Sequence, residues 1–90
     1  MRLLYEKQFR VALKSVVEYI AKDKVSASLA FKKELKNKFE MVLDNPRMYR
    51  ASVYFLDDKY RDLTYMGYTV IYKIDDDVIR VLDIFKWEDR

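Results

Sequence analysis

The sequence predicts an α+β domain: a short N-terminal strand, an antiparallel helical hairpin, then an antiparallel sheet of three to four strands. Three observations carry this. Apolar residues recur at helical spacing through two stretches of the first half. After Pro46 the apolar period shortens from about 3.6 to about 2. Two runs rich in β-branched and aromatic residues then flank a short acidic turn, which reads as a hairpin. The 90 residues are enough for one core and too few for two, because a chain of this size buries only roughly 60–65% of its unfolded surface. Residues 1–90 are therefore read as a single domain.

Leu3–Tyr5 is apolar and ends in charge, as a short first strand would. Phe9, Leu13, Val16, Val17 and Ile20 form the stripe of a first helix, with Arg10, Lys14 and Glu18 off it. Ala21–Lys24 is a polar turn. The second helix is expected to start near Val25-Ser26, where Ser26 supplies a capping oxygen. Its stripe is Ala27, Phe31, Leu35, Phe39 and Val42, and Lys32, Lys33, Lys36 and Lys38 crowd its remaining surface as a solvated face. Asn45-Pro46 ends it, because the residue before proline is pushed out of helical conformation. Beyond the proline, Ser52–Phe55 reads as a short strand, Leu56–Lys59 as a turn, and Tyr60–Tyr65 as a strand stopping at Met66-Gly67. Tyr68–Ile74 and Val78–Phe85 are the two strongest strands, joined through Asp75-Asp76-Asp77. Both are apolar on both faces at their centres, so both belong inside the sheet.

The absences exclude whole chemistries. Without Cys there is no disulfide, thiol nucleophile or thiolate metal site. Without His, the Ser-His, Cys-His and His-zinc mechanisms are gone. A single glycine, Gly67, rules out a Gly-rich phosphate loop. No metal and no cofactor is expected. No apolar run approaches the ~20 residues of a membrane span, and Met1–Lys7 lacks a secretory apolar stretch. No membrane partner and a cytoplasmic location are the expectation. Eighteen Lys/Arg against 15 Asp/Glu leave +3, which suits an acidic partner without arguing specific DNA binding by the chain alone.

The order of elements and their residues resemble the ParE/RelE superfamily of toxins from type II toxin–antitoxin systems. The resemblance rests on Phe9–Leu13 and Tyr19–Asp23 in the first helix and on Leu43–Pro46 at the end of the second. It continues in Tyr60–Leu63, in Gly67–Ile74 and in Val81–Lys86. It covers essentially the whole chain and implies a growth-inhibiting toxin, of the kind tied to plasmid stabilization, neutralised by a cognate acidic antitoxin. Two mechanisms are associated with the superfamily. RelE-like members cleave messenger RNA on the ribosome with basic side chains, whereas ParE-like members poison DNA gyrase. Aligned on Gly67-Tyr68, the basic nuclease positions of the family fall on Tyr60, Asp62, Thr69 and Trp87, and its catalytic tyrosine falls past Arg90. Asp62 would repel a phosphate rather than stabilise it.

Charge distribution points the same way. Residues 1–46 carry ten Lys/Arg and six Asp/Glu, while residues 47–90 carry eight and nine. A ribonuclease built on the sheet would gather its positive charge in the second half. The resemblance thus favours a ParE-like toxin acting on gyrase, with a RelE-like messenger RNA endonuclease as the alternative. No catalytic residue is assigned. The candidate contacts to target or antitoxin are Arg50, Lys59, Arg61, Arg80, Lys86, Trp87 and Arg90. Arg47 and Arg50 either cap helix carbonyls or pair with Asp57-Asp58. Arg80 either marks a polar groove or pairs with Asp62 or Asp83. Trp87 sits in a charged tail and either meets a partner or folds back on the helices.

Overall fold

The computed structural model describes residues 1–86. β1 (Arg2–Tyr5) leads into α1 (Lys7–Asp23), and α2 (Val25–Asp44) follows. After a long connection come β2 (Tyr60–Tyr65), β3 (Tyr68–Asp75) and β4 (Val78–Lys86). The sheet order is β1-β4-β3-β2. β2, β3 and β4 form the expected antiparallel meander. β1 adds to it in parallel with β4, Leu3 opposite Ile79 and Tyr5 opposite Val81, so the sheet is mixed. β3 and β4 are interior, as their two apolar faces require.

Side chains alternate across the sheet, and one face meets the helices. Leu63, Val70 and Ile84 form one inward row, and Tyr72 faces Val81 in the next. Phe9 of α1 and Phe31, Leu35, Phe39 and Val42 of α2 close over them to complete the core. Met66 (φ 53°) and Gly67 (φ 84°) make the β2–β3 turn with two positive φ angles, the geometry that a tight hairpin matched to strand twist demands. Asp76 (φ 55°) does similar service between β3 and β4, tolerated because its short polar side chain lowers the cost of the left-handed region.

Three expectations are corrected. Ser26 does not cap α2. The helices are joined by Lys24 alone, whose extended backbone (φ −158°, ψ 116°) occupies the cap position without a side-chain bond. Lys24 N–H donates to Ile20 O of α1, and Lys24 O accepts from Ala27 N, so the backbone itself makes the join. Ala27 is exposed, and Ser28 takes its place in the buried stripe. Ser28 is tolerated there because its Oγ donates to Val25 O at 2.6 Å. The end of α2 is as expected, with Asn45 at the cap and its N–H on Met41 O.

The third correction matters most. Ser52–Phe55 is not a strand. Ala51 bridges Arg61, and Ser52 N–H donates to Tyr60 O at 2.7 Å, but the pairing stops there. Val53 N–H donates to Asp62 Oδ2 (3.1 Å) and Tyr54 N–H to Ser52 Oγ (3.2 Å). Side-chain acceptors have captured the donors that a strand would give to a ladder. The segment instead becomes a strap that wraps the β2 edge and reaches the sheet face away from the helices. There Tyr54 meets Phe85 edge-on at 5.4 Å, and Phe55 stacks on Tyr60 at 4.0 Å. Asp62 and Thr69 lie on that face and are buried at 2% and 1% exposure, consistent with a face that is covered rather than wet.

Candidate functional site

The helical hairpin carries a groove whose floor is apolar and whose rim is basic. Helical spacing puts Phe9 and Leu13 on one wall and Leu35 and Phe39 on the other. Tyr5, at the end of β1, closes the bottom. Its ring stacks on Phe9 at 5.6 Å and lies 5.7 Å from Phe39. Burial, and secondarily Glu40, push the Tyr5 phenol above its ordinary pKa. The resulting hollow holds about 320 Å³ and is rimmed by Arg10, Lys32 and Lys36. A second hollow of about 270 Å³ shares Arg10, Leu13 and Lys32 and extends the groove to Lys14 and Val17. Among the described residues, none of Arg10, Lys14, Lys32 and Lys36 makes an ion pair. These rim cations were legible as a lysine-crowded helix face, but not as the border of a groove, because the border is made by two helices together.

A wider cleft of about 550 Å³ lies between α1 and the end of β4, with Ser15, Tyr19, Ile84 and Phe85 among its walls. Lys86 reaches over the Tyr19 ring at 4.7 Å. Trp87 and Arg90 of the candidate contacts lie outside the described residues.

The remaining candidates do not form one site. Arg61 lies between two carbonyls: its Nε donates to Asp58 O (2.8 Å) and its Nη1 to Tyr49 O (3.0 Å), which fixes both ends of the strap. Arg50 is half exposed and stands 3.7 Å from the buried Asp62 carboxylate, not at the Asp57-Asp58 turn; Arg47 is the residue that pairs with Asp58, at 3.4 Å. Arg80 pairs with neither Asp62 nor Asp83. Its Nε donates to Asp75 (2.8 Å) and its Nη1 to Glu6 (2.9 Å), tying the ends of β1 and β3 together. The Arg80 hydrogen bond holds the Asp75 carboxyl below the usual carboxylate range, and Lys73 and Lys59 add to the effect. Lys59 and Arg80 are thus brought near Asp75, while Lys86 is at the far end of β4.

Among the described residues, the positions that match the family's nuclease residues, Tyr60, Asp62 and Thr69, are occupied in ways unsuited to a phosphate. Asp62 and Thr69 are buried. Tyr60 stacks on the Phe55 ring, and the Lys73 ammonium lies 5.3 Å from its centre.

A family model described as the ParE toxin of type II toxin-antitoxin system, parDE, matches residues 3–89. The chain belongs to the ParE toxin family. A solved structure titled as the chromosomal ParDE TA system from P. aeruginosa is similar to it. The two superpose with a TM-score of 0.75 over 96% of this chain and 95% of that one, at 15% identity. At that identity the likeness is one of fold. No curated protein matches. The family match spans both features just described, the groove of the hairpin and the strap over the sheet. In this ParE chain, then, the strap and the groove lie on different parts of the surface: the groove on the helices, the strap on the sheet face turned away from them.

Proposed function

We propose that this ParE toxin arrests growth by binding DNA gyrase, without chemistry of its own, and that a cognate antitoxin silences it by occupying the helical groove. The observation that carries the first half is the state of the nuclease-matched positions. Asp62 and Thr69 are sealed in the sheet, and Arg61, one residue away from Asp62, is held by two backbone carbonyls, its Nε on Asp58 O and its Nη1 on Tyr49 O. A nuclease needs free cations to bind phosphate and to stabilise the leaving oxygen. A toxin that works by occupying a target needs only surface.

The groove supports the second half. An amphipathic helix with acidic flanks fits an apolar trough with a basic rim, its apolar side chains against the half-exposed Leu13 and Val17 and its carboxylates near Arg10, Lys32 and Lys36. The charge asymmetry that places the excess of Lys/Arg in residues 1–46 serves this partner rather than DNA. The toxin acts in the cytoplasm and makes no specific DNA contact by itself.

Expression from a tightly controlled promoter in bacteria tests the reading, with plasmid supercoiling and messenger RNA integrity followed in the same cells. Growth arrest with altered plasmid topology and intact messages, reversed by co-expressed antitoxin, is expected. Arrest with cut messages and unchanged topology would favour the endonuclease instead.

A further inference from the structure

The strap ends in an apolar tip that the fold does not use. Val53, Phe55 and Leu56 are 60%, 40% and 110% exposed. Loops at a surface are normally polar, and scattered apolar residues need no explanation, but consecutive ones presented together mark contact sites. The tip is also held firmly. Val53 N–H is fixed on Asp62, Phe55 lies flat on Tyr60 with an interplanar angle of 13°, and Arg61 grips the carbonyls of Tyr49 and Asp58 on either side. Just behind Leu56 stand Asp57, whose carboxylate accepts from Lys59 N–H, and Asp58, which pairs with Arg47 at 3.4 Å.

We propose that Leu56, flanked by Phe55 and backed by Asp57, is the anchor by which this toxin engages its protein target. Rigid presentation means that little conformational freedom is lost when the tip enters a pocket, which is how a single apolar side chain becomes a dominant contact. The partner is a protein surface with an apolar pocket and a basic group at its rim, complementary to Leu56 and to the Asp57 carboxylate behind it. The helical groove of the toxin is itself basic, so an acidic antitoxin segment is received there and not at the tip. Target and antitoxin therefore contact different surfaces of one small domain. This inference rests on the toxin reading above.

The test compares wild type with Leu56→Asn, Leu56→Met and Asp57→Lys, each induced in bacteria over a titrated range with the intracellular amount measured by immunoblot. Leu56 packs against nothing, so Leu56→Asn should melt as wild type does. It is expected to need about 30-fold more protein for the same arrest. Leu56→Met should restore potency, Asp57→Lys should weaken it, and the affinity for co-purified antitoxin should not change in any variant. Equal potency of Leu56→Asn and wild type would overturn the proposal while leaving the toxin reading intact. A wild-type chain that arrests nothing would remove both. A wild-type dimer that Leu56→Asn converts to monomer by sedimentation velocity would show the tip's partner to be a second copy, which also overturns it. Should Leu56→Asn lose thermal stability, Val53→Asn, on the same tip, takes its place with the same expected loss.

Discussion

Tyr72→Phe removes one oxygen from the centre of the molecule, and its consequences can be worked from the structure. The ring is fully buried, and its hydroxyl donates to Pro46 O at 2.7 Å. This bond ties the chain leaving α2 to the middle of β3, at the root of the strap. Removing it loses a net hydrogen bond and leaves a half-buried carbonyl short of a partner, a cost of about 1–2 kcal/mol at neutral pH. For a domain of this size that is a fall in Tm of roughly 5–15 °C. The pH dependence is more diagnostic. Burial pushes the Tyr72 phenol from an ordinary pKa near 10 to about 12. The folded state therefore favours the protonated phenol. The associated stability is whole below pH 10 and is lost as pH rises through 10 to 12, in total about 2–3 kcal/mol and about half of it by pH 11. Phenylalanine has no such loss. Urea unfolding followed by far-UV circular dichroism should find wild type ahead by about 1–2 kcal/mol at pH 8, with the gap nearly closed at pH 11. Every other tyrosine is common to both proteins and cancels in the difference. Two curves that coincide at pH 8, or that keep a constant gap up to pH 11, would refute the reasoning.

Other residues give sharp expectations. Arg80→Met breaks both the Asp75 and the Glu6 pairs; Asp75 then loses the largest cause of its depressed pKa, with Lys73 and Lys59 left, and since that contribution exists above the unfolded carboxylate pKa of about 4 and fades as pH falls, thermal melts of the mutant from pH 7 to 2.5 should be less acid-sensitive than wild type. Lys32→Glu with Lys36→Glu reverses the groove rim and should weaken antitoxin binding about tenfold by calorimetry, because exposed charge pairs contribute about 0.2–1 kcal/mol each. Raising salt from low to moderate should weaken the wild-type complex no more than that, since apolar burial carries it; a complex that falls apart over this range would mean that charge holds it. Trp87→Ala should leave the melting temperature close to wild type and reduce growth arrest, whereas a loss of about 3–5 kcal/mol would identify a buried core residue and remove Trp87 from the contact set.

What the sequence discloses and what it hides follow from the range of the interactions. Periodicity is local, so α1, α2, β3 and β4 were legible, as was the stop at Asn45-Pro46. The parallel seat of β1 on β4 joins residues more than seventy positions apart, and no local signal marks it. Arg80 is similar: the sequence offers Asp62 or Asp83 as its partner, but Asp75 and the distant Glu6 hold it. Val53, Tyr54 and Phe55 have strong strand propensity. They miss the ladder because Asp62 and Ser52 offer acceptors to the N–H groups of Val53 and Tyr54, a contest decided by tertiary placement rather than by residue type. The groove rim was visible only as scattered lysines, since it exists once two helices stand side by side. Arg61 looks like a contact residue in the sequence because an arginine there shows its charge and not the carbonyls that hold it.

A ParE toxin that works by occupying gyrase should inhibit it with purified components alone. The most direct measurement titrates the purified chain into a DNA gyrase supercoiling reaction, with a ribosomal A-site cleavage reaction run in parallel. Saturable inhibition of supercoiling, relieved by antitoxin and with the message left intact, is expected. Undisturbed supercoiling beside specific cuts in ribosome-bound message would contradict it.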